Sequence, residues 1–307
     1  MKKQLFFLLT CAASLFADKA PVFYTEEMRE LHLSGYTDEE REAIEKDLLV
    51  VRSVCLSDVT KSNRSRPVYI ATPGSPGARK STILERFLQC SPEYGKIAYI
   101  DPDPRTLKYM VHTYHSRSLS PLALAANASY GISQKNAYEK WRAASNYIAQ
   151  TLLEESFANR YNIAHGGTKT DDYINIFFPK IKAAGYDIVF LLCSCEDAFR
   201  YQAIQYRNNE QKFYQSTPED AVSKGKMFPR RMSAYFTFAD ELYLFWSDEM
   251  NQPERRAAHF VNGKMSILDQ DAYRKFVQKY QNDRANLKKE GIDIPSWDAV
   301  IALYVKE

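Results

Sequence analysis

No apolar run in the 307-residue chain reaches the roughly 18–20 residues that a membrane-spanning helix needs. One-sided charge is missing as well: 41 Lys+Arg against 38 Asp+Glu leave a formal net charge of +3. That near-balance is no electrostatic footprint for nucleic acid or an anionic lipid surface, either of which needs a basic excess on one face. Cysteine is sparse, at five residues, and no CxxC pair accompanies another, so neither a zinc site nor a disulfide framework is indicated. Internal repeats and low-complexity tracts are absent. Disorder, collagen and coiled coil are excluded by 45% hydrophobic and 26% charged residues. What is present is a tyrosine-rich chain long enough for one large domain or two small ones.

Residues 1–17 have the layout of a secretory signal peptide: basic Met1-Lys2-Lys3, an apolar stretch from Leu5 to Phe16, and Ala17 before Asp18-Lys19. The pattern implies export, to a periplasm or beyond, and a cytoplasmic protein if the leader is not used. Behind it, residues 18–66 read as a helical preface, with capping-box spacing at Thr37-Asp38-Glu39-Glu40. Cys193 and Cys195 end an apolar run and point to one face if extended, as core residues do.

From residue 67 the pattern changes to short apolar runs alternating with helix-length segments: Val68–Ala71, Ile97–Ile100, Tyr161–Ala164, Asp187–Cys193 and Leu242–Trp246. Strands alternating with helices predict an α/β fold, a parallel sheet wrapped by helices, over residues 67–247. Residues 248–307 are expected to be a C-terminal helical extension. The functional loops should sit at the carboxyl ends of the strands, where three unusual loops can converge on one crevice.

The first of them is Gly74-Ser75-Pro76-Gly77-Ala78-Arg79-Lys80-Ser81-Thr82, in the strand-loop-helix context of a Walker A phosphate loop. Its backbone N–H groups would cradle a nucleotide's phosphates, with Lys80 reaching the β/γ-phosphates and Ser81 holding Mg²⁺. Arg79 stands where a glycine normally precedes the lysine, so its side chain must point away from the phosphates. The bland alternative is a Gly/Pro turn before a helix start. Second comes Asp101-Pro102-Asp103, where a carboxylate can accept a proton from an attacking hydroxyl or hold Mg²⁺, or merely cap the next helix. Third is His165-Gly166-Gly167-Thr168-Lys169-Thr170, whose hydroxyls and His165 could bind a second substrate. Cations for phosphoryl transfer are offered by Arg207 and by Lys224, Lys226, Arg230 and Arg231, a cluster that would ordinarily be solvated surface.

Together these residues resemble the zeta-toxin family of P-loop kinases, over roughly residues 66–245. Gly74, Pro76, Gly77, Lys80 and Ser81 match its phosphate loop, with Arg79 the mismatch. Ile100-Asp101-Pro102-Asp103 matches its Ile-Asp-x-Asp element, which makes Asp103 the implied catalytic base. His165-Gly166-Gly167-Thr168-Lys169-Thr170 resembles its Glu-Gly-Thr-Gly-Arg-Thr loop, with His165 in the acidic position, and Ala184-Gly185-Tyr186 a following turn. Arg207 falls at the place of a phosphate-binding arginine, while Gln215, ahead of Thr217-Pro218, replaces a second one.

The resemblance implies a P-loop NTPase-like fold and ATP-dependent, Mg²⁺-assisted phosphorylation of a small-molecule hydroxyl. In the family the acceptor is the 3′-hydroxyl of a UDP-N-acetyl-amino-sugar. The expected catalytic residues are Asp103, Lys80 and Arg207. Residues 74–82 bind the nucleotide, Ser81 the metal, and Asp101, His165, Gly167 and Thr168 the acceptor. An antitoxin or host-cell protein is the expected partner, and nucleic acid is not. Export conflicts with ATP use, since a bacterial periplasm offers little ATP; passage into a host cytosol would resolve it. Two rival readings stand beside this one: a catalytically impaired phospholigand-binding module, and a kinase for a polynucleotide or antibiotic.

Overall fold

The computed structural model describes residues 22–119, 130–209, 214 and 218–306. The expected leader and Gln215 lie outside the described residues. No helix among the described residues is long and apolar enough to cross a membrane.

The described residues begin with two helices, α1 (Glu26–Leu31) and α2 (Asp38–Leu56). The capping box expected at the second forms: Thr37 Oγ1 accepts from Glu40 N at 3.3 Å and Glu40 Oε2 accepts from Thr37 N at 3.1 Å. Alternation then begins: β1 (Val68–Ala71), α3 (Lys80–Gln89), β2 (Ala98–Ile100), the 29-residue α4 (Tyr130–Ala158), β3 (Ile163–His165), α5 (Ile174–Ala183) and β4 (Asp187–Cys195). After these come α6 (Asp197–Asn209), α7 (Pro218–Arg230), α8 (Met232–Phe238) and β5 (Glu241–Ser247).

These five strands are parallel, in the order β2-β3-β1-β4-β5. They read as near-continuous apolar runs because helices cover both faces, and β1, for instance, is buried at every position. The purely helical extension expected over 248–307 needs correction. β6 (Arg255–Val261) and β7 (Lys264–Ile267) add to the sheet antiparallel, giving seven strands, before α9 (Gln270–Lys289) and α10 (Trp297–Tyr304). The outer strand β7 is mostly exposed and opens on Lys264, the charged habit of a strand that must not pair further.

The helical preface shares the main core with the sheet. Phe23 stacks on Phe157 of α4, and Ile44 and Val51 of α2 are fully buried in the same cluster as Trp141, Phe178 and Trp297. Asp47 of α2 accepts from His112 N at 2.7 Å and Thr113 Oγ1 at 2.5 Å. This ties α2 to the wide-turn segment Val111–Ser118 that follows the Asp101–Asp103 loop. Both pack on α4, which is thereby held against that loop.

Candidate active site at the strand carboxyl ends

Because β2, β3 and β1 are neighbours, the three loops that follow them do meet. Gly74 N donates to Thr168 O at 3.2 Å, and Gly166 N donates to Ile100 O at 2.9 Å. Gly74 also lies against β4, where an added Cβ would strike the Cys193 carbonyl, and Gly77, at φ +86°, lies against the Arg200 carbonyl of α6. Both positions need glycine for the close approach.

The loop from Gly74 runs through buried Pro76 and through Ala78, whose N donates to Ser75 O at 3.2 Å, to α3, which begins at Lys80. Ser81 and Thr82 lie half-buried on its first turn, where free helix N–H groups favour an anion. Arg79 caps the helix at φ +56° and ψ +26°, the left-handed conformation that a glycine would adopt without strain. Its guanidinium leaves the loop, donating to the carbonyls of Glu249 and Gln252 at 3.2 and 2.7 Å and pairing with Glu254 at 2.8 Å. The side chain points away from the phosphate cradle, as expected of a non-glycine there. Lys80 folds back, Nζ donating to Ser75 O at 2.9 Å.

Asp101 is 5% exposed and caps the following turn, its Oδ1 accepting from Asp103 N at 2.9 Å. Burial, then the charge of Asp103, raises its pKa above the usual carboxylate range. Enclosed in this way, Asp101 orients the Asp103 backbone. Asp103 keeps 21% of its side chain exposed and is paired with Arg142 of α4. A Cβ at position 166 would overlap the Asp101 carboxylate. Gly166→Ala is therefore expected to lower stability by about 1–3 kcal/mol, the usual cost of overpacking, and to reduce turnover by displacing the Asp101–Asp103 turn. Unfolding curves and steady-state rates on the same preparation would check it.

His165, expected on the acceptor side, lies in the core. It ends β3, is 5% exposed, and its Nδ1 shares a 2.6 Å hydrogen bond with Tyr69 OH inside an aromatic cluster with Phe177. Burial, helped by the charge of Lys169, pushes its pKa well below the ordinary histidine value, so the ring stays neutral. Gly167, at φ +120°, and Thr168, whose carbonyl receives the phosphate loop, form the next turn. Lys169, at φ +51°, reaches back to Gly166 O at 3.0 Å, and its carbonyl accepts from Tyr235 OH at 2.7 Å.

Four cationic side chains, Lys80, Arg142, Lys169 and Arg207, act electrostatically on the carboxylates of Asp101 and Asp103 or on one another. Lys224 also acts on Lys80. Burial depresses Lys80 to about 8 and Lys169 to about 7, and lowers Arg207. Half-buried cations held below their ordinary pKa in one crevice form a site that an anion would stabilise. The rest of the expected basic cluster disperses: Lys226 pairs with Glu290, and Arg231 with Asp172. Arg142 went unassigned in the sequence reading, and Lys169 was noted there without a role. Tyr138 and Tyr214, ring centroids 5.4 Å apart, stand beside Arg207 and Arg142.

A cleft of about 460 Å³ adjoins the loop on its other flank, lined by Ala198, Phe199 and Gln202 of α6 and by Asp248, Glu249, Met250 and Asn251. Its two walls are joined to the loop through the Gly77–Arg200 contact and the Arg79 hydrogen bonds. Its size lies in the range of small-molecule sites.

The family model described as Zeta toxin matches residues 54–231. No curated protein matches. Among solved structures, the native AvrRxo1-ORF1:AvrRxo1-ORF2 complex is similar at 15% identity and a TM-score of 0.52, over 93% of this chain and 95% of that chain. The same complex with ATP gives 14% and 0.50, over 94% and 96%. The PezAT toxin–antitoxin system of Streptococcus pneumoniae gives 18% and 0.47, over 83% and 98%.

Proposed function

The chain belongs to the zeta toxin family, and on that premise we propose that it transfers the γ-phosphoryl group of ATP to a hydroxyl of a small molecule, a nucleotide sugar of the UDP-amino-sugar class. The observation that carries this reading is the convergence on one crevice of the phosphate loop, the Asp103 carboxylate and the half-buried cations Lys80, Lys169 and Arg207.

The triphosphate lies along residues 74–82, its base and ribose in the cleft between Phe199 and Met250. Asp103, held by Arg142, accepts the proton of the acceptor hydroxyl as its oxygen bonds to the γ-phosphorus and the bond to the β-bridging oxygen breaks, leaving ADP. Lys80 and Arg207 neutralise the charge that spreads over the γ-phosphoryl oxygens, and Lys169 lies on the acceptor side beside Asp101. Hard oxygen donors suit Mg²⁺, and the Ser81 hydroxyl on the first turn of α3 fits that chemistry. Bound there with the phosphates, Mg²⁺ would supply charge neutralisation. The similar AvrRxo1-ORF1 structure is a complex with a second chain, AvrRxo1-ORF2, which supports a protein partner, antitoxin-like in kind, here.

A non-catalytic binding module would follow if Arg79 or His165 blocked the crevice. With Arg79 in the glycine-like conformation and His165 in the core, neither stands in the crevice, so the enzyme is the better reading. The acceptor is tested by incubating the chain with MgATP and a panel of UDP-sugars, nucleosides, aminoglycosides and oligonucleotides. Phosphorylated UDP-amino-sugar is the expected product. Modification of another class alone would discard the nucleotide-sugar assignment.

A pH-dependent consequence follows from the depressed lysines. Binding an anion raises their pKa, so at pH 8, where Lys80 is about half and Lys169 mostly deprotonated, MgATP should bind with uptake of roughly one proton. Titration calorimetry in buffers of different ionisation enthalpy measures this. Binding without proton uptake would place the phosphates elsewhere.

A further inference from the structure

Arg79 occupies a left-handed backbone position that costs a non-glycine residue strain, and its side chain reaches a distant part of the chain. Its guanidinium holds three acceptors at once: the carbonyls of Glu249 and Gln252 and the carboxylate of Glu254. Glu254 is only 3% exposed at its side chain and is shared with Arg86 of α3, 2.6 Å away on its other oxygen. Arg86 stays about half exposed while Arg79 and Glu254 are covered, and burying that carboxylate offsets much of the attraction, so the group is weak evidence for stability. What a planar guanidinium gives is direction. Here it fixes the whole connection between β5 and β6, and that connection supplies Asp248, Glu249, Met250 and Asn251 to the 460 Å³ cleft. The residue directly before Lys80 therefore sets the far wall of the cleft as well as the end of the phosphate loop.

We propose that Arg79, clasped on Glu254, is a positioning residue for the nucleoside half of the bound nucleotide. It holds residues 249–252 as the wall against which base and ribose rest, and so sets the preference for a nucleoside triphosphate over bare triphosphate. The inference deepens the nucleotide reading above and rests on it. The phosphate cradle itself does not need the arginine, since glycine takes the same backbone conformation freely.

The test is calorimetric titration of the full chain with MgATP and, separately, with magnesium tripolyphosphate, in wild type, Arg79→Gly, Arg79→Lys and Glu254→Gln. Arg79→Gly is expected to weaken ATP about tenfold, as for loss of charge-assisted hydrogen bonds, while tripolyphosphate changes less than about twofold. Arg79→Lys, which keeps the charge but not the fork, should fall between, and Glu254→Gln should weaken ATP in the same selective way. Equal weakening of both ligands would mean that Arg79 merely supports the loop, and unchanged ATP affinity in every variant that the clasp does not shape the cleft; either overturns the inference alone. Failure of the wild type to bind either ligand would instead remove the nucleotide reading beneath it.

Discussion

Lys80→Ala is expected to abolish phosphoryl transfer, with kcat/KM falling about 10³-fold or more, while the fold survives. Removing one preorganised charge from developing phosphoryl oxygens costs at least about 10²–10³ in rate, and this lysine also contributes to ground-state binding of the phosphates. Survival of the fold follows from the same burial that makes the residue useful. The folded-state pKa of Lys80 is depressed to about 8, so the protonated side chain is disfavoured by folding, and that penalty is fully present below pH 8. It fades as pH rises from 8 towards the unfolded value near 10.5. At pH 7 the alanine variant should therefore unfold at a temperature no lower than the wild type, apart from the loss of one hydrogen bond to Ser75 O. Activity within tenfold of wild type in Lys80→Ala would place the phosphates outside this loop.

Asp103→Asn is the second large effect. The substitution keeps shape and removes the proton acceptor, so kcat should fall by about 10²–10⁴, the range attributed to a general base. ATP affinity should stay within a fewfold, because the phosphate loop is untouched. Arg142 loses its carboxylate partner in this variant, and with the pair only 29% and 21% exposed the stability cost should be about 1–3 kcal/mol. If KM for the acceptor rises while kcat holds, Asp103 binds the acceptor without taking its proton.

Much of this site was legible from local patterns. The five parallel strands are short apolar runs bounded by Gly, Pro and Asp, and the loops after β1, β2 and β3 carry the residues that converge. Strands β6 and β7 escaped because Arg255–Val261 begins with two arginines and both strands lie towards the open edge of the sheet, half-exposed, where the apolar signal is diluted. Arg142 had no local mark: it sits mid-helix in α4, and only the packing of α2 and Val111–Ser118 on that helix brings it to Asp103. His165 closes a strand next to a glycine loop, yet its ring faces the core, against Tyr69 and Phe177. That placement depends on strand register, which one residue of slip would invert. The Arg79–Glu254 clasp joins segments far apart in sequence, and only the antiparallel addition of β6 beside β5 brings them together.

The most direct measurement is transfer of labelled γ-phosphate from MgATP to a UDP-amino-sugar by the wild-type chain, with Lys80→Ala and Asp103→Asn in parallel. Labelled sugar nucleotide from the wild type and none from either variant, with Asp103→Asn still binding ATP, is the predicted result. ATP bound by the wild type with no label passed to any acceptor would contradict it, and would leave a phosphate-binding module in place of a kinase.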